Sequence, residues 1–144
     1  MLRILSNLAL LFVIGAIALL AMTGMLFSSS PAVVVGQTLG LGLAVWARRS
    51  FPSGAFRVAA APGADAVIQR GPYRVIRHPM YSAALLVVWA SVLGHADGWT
   101  ALIGLVVTSV VVIRVIMEER LLRARYPAYA AYAASTKALV PYLV

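Results

Sequence analysis

The sequence predicts an all-α integral membrane protein of about four transmembrane helices, with an amphipathic C-terminal helix on the cytoplasmic side. Composition is the first reason. Of 144 residues, 62% are hydrophobic and 11% are charged, whereas a water-soluble domain carries about 25% charged residues. The apolar residues also gather into long stretches separated by polar turns, and the basic residues fall only in alternate connections. A soluble fold of this length could not hide so much apolar side chain, so lipid is the expected solvent. The length suits a single domain over 1–144. Cysteine is absent, which excludes disulfides, thiolate metal sites and cysteine nucleophiles. A net charge of +8 would suit nucleic acid. The basic residues form no continuous soluble face, however, so no nucleic-acid partner is expected.

The first span is read over 8–27. It holds no charged residue, and at about 1.5 Å per residue it reaches across the roughly 30 Å hydrocarbon core. Arg3 ahead of it also admits a signal peptide. The run exceeds the usual apolar core of about 7–15 residues, and no small-x-small cleavage site follows, so a retained helix is expected. Ser28-Ser29-Ser30-Pro31 forms a polar turn. The second span, 32–47, closes with Trp46 and Arg48-Arg49. Its Gly36 and Gly40 share one face and allow close helix contact. Residues 50–78 are the most polar part. Pro52, Gly54, Pro62, Gly63, Gly71 and Pro72 exclude a long regular helix there, while Phe51, Phe56, Val58, Val67 and Ile68 suit a membrane interface.

The third span, 79–94, and the fourth, 99–117, read as an antiparallel pair joined by His95-Ala96-Asp97-Gly98. The third is short for a bilayer, which calls for little tilt or local thinning. Beyond it, Leu121, Leu122, Tyr126, Tyr129 and Tyr132 recur at three- and four-residue spacing, an amphipathic pattern interrupted by Pro127. This tail is expected to lie along the inner membrane surface.

These spans put all twelve basic residues on one side. Arg3 precedes the first span. Arg48, Arg49, Arg57, Arg70, Arg74 and Arg77 lie between the second and third. Arg114, Arg120, Arg123, Arg125 and Lys137 lie at or after the end of the fourth. The positive-inside rule makes that side cytoplasmic, with both termini on it. Most of these charges are expected to set topology and meet lipid head groups.

Two clusters hold candidate chemistry, residues 71–81 (GPYRVIRHPMY) and residues 114–132, which open on Arg114 and include Glu118-Glu119. With Asp97 at the hairpin tip, His78 and Glu118 end at nearly the same depth, within about one helical turn. Pro79 suits the first position of a helix. The free amides and dipole of that helix end favour an anion, and Arg77 strengthens the preference. A fitting ligand offers a carboxylate for that end, hydroxyls or an amine for Glu118 or Glu119, and a cation for tyrosine faces. S-adenosylmethionine has all of these, and a phospholipid head group satisfies much of the set.

Each residue also has a plainer use. His78 can cap a helix, and Glu118-Glu119 can be a solvated helix end paired with Arg114 or Arg123. Arg114 can snorkel to lipid phosphate, and the tyrosines can anchor at the interface. His95 and Asp97 lie about 25 Å along a straight helix from His78, so no metal site is expected.

The run Gly71-Pro72-Tyr73 leading into Arg77-His78-Pro79-Met80-Tyr81 resembles the isoprenylcysteine carboxyl methyltransferase family of membrane methyltransferases. So does Arg114 followed by Glu118-Glu119, Leu122, Tyr129, Tyr132 and Pro141. The phospholipid N-methyltransferases are more distantly similar. The resemblance covers roughly Arg70 to Pro141. It implies S-adenosylmethionine as cofactor, with Arg77, His78, Tyr81, Glu118 and Glu119 lining the pocket and Tyr73 and Pro79 as further cofactor-binding candidates. It also implies that the C-terminal segment covers the pocket and that a lipophilic acceptor enters sideways from the membrane.

The catalytic candidates are Arg77, Arg114 and Glu118. Arg77 or Arg114 would orient a carboxylate acceptor, whereas an amine or thiol must lose a proton, to Glu118, Glu119 or His78. Two positions depart from the family pattern, Ala83 and Pro127, where glycine is usual. A prenylated cysteine carboxylate, a thiol, a phospholipid amine and another lipid carboxylate all stay open as acceptors. Two other functions compete. One is a non-catalytic lipid-binding subunit. The other is a small multidrug-type transporter, which needs an ionisable group in mid-membrane that the span centres lack.

Overall fold

The computed structural model describes residues 2–50 and 67–140, with side chains from Asn7 onward. The interfacial reading of Phe51, Phe56 and Val58, the placement of Arg57 and the motif residue Pro141 lie outside the described residues. The described chain forms α1 (Leu2–Met22), α2 (Pro31–Arg49), a short 3-10 turn (Gly71–Arg74), α3 (Pro79–His95), α4 (Gly98–Arg125) and α5 (Tyr129–Ser135). No strand occurs among the described residues beyond one isolated bridge, Ile76 with Lys137.

Local chemistry sets these boundaries. Pro31 and Pro79 open α2 and α3, where the missing amide hydrogen has no partner to lose. Asp97 caps α4 by accepting from the amides of Trp99 and Thr100, both at 2.9 Å, as short acidic side chains do at a helix start. The first helix ends earlier than the 8–27 reading, at Met22, and the chain turns at Gly24, whose φ of +73° suits glycine.

The largest departure is at the other end. α4 does not stop near residue 117 but continues to Arg125. The expected amphipathic tail helix is therefore divided: its first turns belong to α4, and only Tyr129–Ser135 form α5. Pro127 is the reason, because it drives Tyr126 out of the helical region (φ −121°, ψ 108°).

α2 packs on α3, α3 on α4 and α4 on α1. Gly36 and Gly40 make the first contact close. A Cβ on Gly40 would lie 2.9 Å from Val87 Cγ2 and 3.0 Å from the Ala83 carbonyl oxygen, and one on Gly36 would lie 3.0 Å from Ala90 Cβ. At Ala83 the family pattern has glycine; here the close approach comes from Gly40 on the opposite helix. Val13, Val88, Val92, Val107, Val111 and Val115 form the buried cluster that joins α1, α3 and α4.

Three side-chain polar contacts join segments inside the bundle. Gln37 Nε2 donates to Ser91 Oγ at 3.1 Å, Ser91 Oγ to the Leu26 carbonyl at 2.8 Å, and Trp89 Nε1 to Thr108 Oγ1 at 3.0 Å. Such bonds tie helices together where no water competes. Among the described residues, α4 is long and apolar enough to cross a membrane, and Asn7–Met22 and Pro79–His95 are shorter apolar helices. The pairings bring the end of α2, the start of α3 and the end of α4 together, which gathers the described basic side chains at one end of the bundle.

Candidate functional site

The site is built from the 71–81 segment upward. Gly71 has φ +59°, and a Cβ there would fall 2.0 Å from Ser50 Oγ and 3.2 Å from Trp46 Nε1. Glycine is needed on both counts. Arg70 Nε donates to the Ser50 carbonyl at 2.6 Å, which fastens the turn to the end of α2. Pro72 and Tyr73 are buried in that turn.

The C-terminal tail returns across this segment. Lys137 N donates to the Val75 carbonyl at 3.0 Å, Arg77 N to the Lys137 carbonyl at 2.7 Å and His78 N to the Ala138 carbonyl at 3.0 Å. Ser82 Oγ donates to the Leu139 carbonyl, and Tyr132 Oη to the Tyr73 carbonyl at 2.7 Å. The tail thus docks on the start of α3. Buried backbone carbonyls require donors, and the 75–82 segment supplies them.

Arg77 is drawn into the same arrangement. Its Nε donates to Glu119 Oε1 at 2.7 Å, and its Nη1 to the carbonyls of Ala133, at 2.9 Å, and Thr136. Arg77, expected to strengthen the preference of that helix end for an anion, is engaged within the protein. The amides of Arg77 and His78 serve the tail, and the Arg77 guanidinium serves Glu119 and two tail carbonyls. Glu119 also meets Arg123 Nη2 at 3.4 Å.

Glu118 has different neighbours. Tyr81 Oη donates to Glu118 Oε2 at 2.6 Å and accepts from Arg114 Nε. Arg114 is 2% exposed, and its guanidinium carbon lies 5.4 Å from the Tyr81 ring centre. The His78 ring stacks on Tyr81 at 5.6 Å. His78 Nε2 stands 3.5 Å from Glu119 Oε1, within ion-pair range yet outside hydrogen-bond alignment.

Electrostatics follows the geometry. His78 and Arg77 beside it hold the Glu119 carboxyl down at about 2, against the opposing effect of burial. Burial, reinforced by Glu118, pushes the Tyr73 hydroxyl above the usual phenol range. Burial and Glu119 do the same at Tyr129. Burial pushes Tyr132 up to about 12.

Tyr73, Arg77, His78, Pro79, Tyr81, Arg114, Glu118 and Glu119 therefore come together at the charged end of the bundle. The tail tyrosines join them: Tyr129 and Tyr132 are 1% and 5% exposed, where periodicity alone places them on a membrane surface. The Arg70–Ser50 fastening has no signal in the sequence. Two buried atoms, His78 Nε2 and Tyr129 Oη, have no hydrogen-bond partner among the described residues. No three of the described His, Asp and Glu side chains converge as a metal set would.

A model of the family described as phospholipid methyltransferase matches residues 9–129. The chain belongs to that family. The match runs from α1 to the first residue of α5 and takes in both clusters, so the protein is a membrane-associated methyltransferase of lipid-type substrates. It supports the membrane methyltransferase resemblance and names the phospholipid branch rather than the isoprenylcysteine one. No curated protein and no solved structure matches the chain.

Phospholipid methyltransferases generally use S-adenosylmethionine. The residues present fit that group. The site combines buried unpartnered polar atoms, a half-buried carboxylate in Glu118 and aromatic rings suited to a cation.

Proposed function

We propose that this phospholipid methyltransferase moves a methyl group from S-adenosylmethionine to the head group of a membrane lipid, with a lipid amine as the acceptor. Glu118 is the single observation that carries this reading. Glu119 is committed to Arg77 and Arg123, whereas Glu118 engages Oε2 with Tyr81 and leaves Oε1 without a hydrogen bond among the described residues. A carboxylate with one oxygen fixed and the other open suits the binding and deprotonation of an amine.

S-adenosylmethionine, when bound, supplies an electrophilic methyl group on a sulfonium. The chain's own residues do the rest. Tyr81, held between Arg114 and Glu118, sets the direction of the Glu118 carboxylate. Glu118 takes the proton that the amine must lose. Arg114 holds Tyr81 from its other side, and would orient a carboxylate if the acceptor were a prenylcysteine. The docked tail limits access of water. Holding acceptor and donor in line can supply several kcal/mol of barrier reduction. His78, Tyr73, Tyr81, Pro79 and Glu119 form the cofactor side of the site, Glu118 faces the acceptor, and Arg77 holds the tail over it.

The membrane setting belongs to the same proposal. The four long helices span the bilayer as one domain, with the shorter apolar ones accommodated by local thinning. The basic end and both termini face the cytoplasm.

The test is thermal stability of the detergent-purified protein with S-adenosylmethionine, with S-adenosylhomocysteine and with neither. Saturable stabilisation by both is expected, about 2.7 kcal/mol at a hundredfold excess over Kd, and it should weaken in His78→Ala. Methyl transfer to an aminophospholipid, set beside a prenylcysteine analogue, then identifies the acceptor. No stabilisation at millimolar ligand would overturn the proposal and favour a non-catalytic lipid-binding role.

A further inference from the structure

The fold gathers a patch of arginines at the charged end of the bundle that the proposed chemistry does not use. α2 ends on Arg48-Arg49, and the 3-10 turn Gly71–Arg74 is pinned against that end. Arg70 Nε donates to the Ser50 carbonyl at 2.6 Å, and Gly71 lies against Ser50 and the Trp46 indole with no room for a Cβ. Arg49 precedes the gripped residue, Arg70 grips it, and Arg74 closes the turn. Arg49, Arg70 and Arg74 are all exposed.

Gathering like charges costs free energy unless opposite charge offsets them. The elements that form the patch supply none, since no acidic residue occurs in 31–50 or 67–96. The described carboxylates at this end of the bundle, Glu118 and Glu119, engage Tyr81 and the pair Arg77 and Arg123. Cations suit the C-terminal end of a helix, which accounts for Arg48-Arg49. It does not account for Arg70 and Arg74, which the fold adds to them.

Two features indicate what covers the patch. The first is the choice of cation. Lys137 is the only lysine among the twelve basic residues. Setting topology needs positive charge of either kind, whereas the guanidinium fork matches a phosphate with two parallel hydrogen bonds. The second is the apolar surface beside the charges. Trp46 is 56% exposed and Val75, next to Arg74, is 44% exposed. A soluble polyanion matches the arginines alone. The boundary of a bilayer matches both, with phosphate against the arginines and the apolar side of the interface against Trp46 and Val75.

We propose that Arg49, Arg70 and Arg74 dock the head groups of anionic phospholipids, so that the protein gathers anionic lipid at this end of the bundle. The selectivity is electrostatic. A zwitterionic head group brings its own ammonium toward the arginines, and an anionic one does not. The turn leads directly into Arg77 and His78, so bound lipid braces the segment that carries the site. This inference uses the membrane association of the family and neither the cofactor nor the acceptor assignment, and it stands or falls apart from them.

The experiment titrates the detergent-purified full chain with phosphatidylglycerol or phosphatidylcholine of identical acyl chains and reads each binding constant by native mass spectrometry. A basic residue near an anionic lipid surface is worth about a fivefold change in affinity. Phosphatidylglycerol should therefore bind at least about fivefold more tightly than phosphatidylcholine. Arg49→Gln and Arg74→Gln should each lower phosphatidylglycerol affinity about fivefold and leave phosphatidylcholine affinity and the lipid-free Tm unchanged, because both side chains are exposed.

Equal binding of the two lipids would overturn the proposal, as would unchanged phosphatidylglycerol affinity in the double variant. A lower lipid-free Tm would also overturn it, by showing that these side chains serve the fold. The last arm offers polyglutamate and a single-stranded oligonucleotide to the protein in phosphatidylcholine nanodiscs. Binding of either that disappears in the double variant would assign the patch to a soluble polyanion instead.

Discussion

At the end of the bundle away from the site, polar side chains are satisfied close to home. Asp97 accepts from the amides two and three residues on, and His95 Nδ1 meets the carbonyl one turn back, at Ser91, at 3.0 Å. At the site end the bonds reach between distant segments: Arg77 to Glu119 and the tail, Tyr81 to Glu118, Tyr132 to Tyr73. Only there do buried polar atoms remain unpartnered among the described residues. One end uses its polar groups to finish helices. The other ties the tail and the two motif-bearing helices together, and keeps polar capacity in reserve for a ligand.

Substitutions at the two ends should therefore have different signatures. The largest effect is expected for Arg77→Ala, which removes one donor from Glu119 and one from each of two tail carbonyls. Stability should fall by about 3 kcal/mol, as when one partner of a largely buried pair is removed, and stabilisation by S-adenosylhomocysteine should vanish in the same melting experiment. If ligand stabilisation survives the loss of stability, the tail is not part of the site.

Glu118→Gln should act on chemistry rather than folding. The amide oxygen can still accept from Tyr81, so Tm should change little, while methyl transfer to an amine should fall about a hundredfold, as expected when a general base is lost. Asp97→Ala is the control at the other end. It should lower Tm by a few degrees through loss of the cap and leave cofactor affinity unchanged.

The smallest effect concerns pH. Glu119 is held at about 2, below its ordinary value of 4.5. Its contribution to stability is complete above about pH 4.5 and is lost as pH falls through 2, because only the ionised form benefits from the fold. Acid unfolding of Glu119→Gln should lack that component, and unchanged steepness of the acid limb would show that the pairing with His78 and Arg77 is weak.

Much of the site was legible beforehand because register on a helical hairpin is simple geometry. His78 and Glu118 lie at similar distances from Asp97, so they reach one depth, and Tyr81 and Arg114 lie one turn further in. The Gly36–Gly40 face was legible as a contact face, although not its partner α3. The Arg77 environment was not legible. Nothing local shows that its guanidinium will meet Ala133 and Thr136, since those partners lie more than fifty residues away and are reached only after Pro127 turns the tail back. The same holds for Tyr129. Its three-residue spacing from Tyr132 fits a surface helix as well as a buried one.

The sequence by itself determined where the helices run, which end of the bundle is charged, and that the two motifs meet there. Hydrophobic runs, proline, glycine and capping residues act within a turn or two of themselves, and charge follows chain order. Only the tertiary structure decided which carboxylate is committed and which is open, that Arg77 holds the tail, and that Tyr129 is buried with its hydroxyl unspent. Those outcomes depend on which buried donor finds which acceptor, and that pairing is settled between segments far apart in the chain.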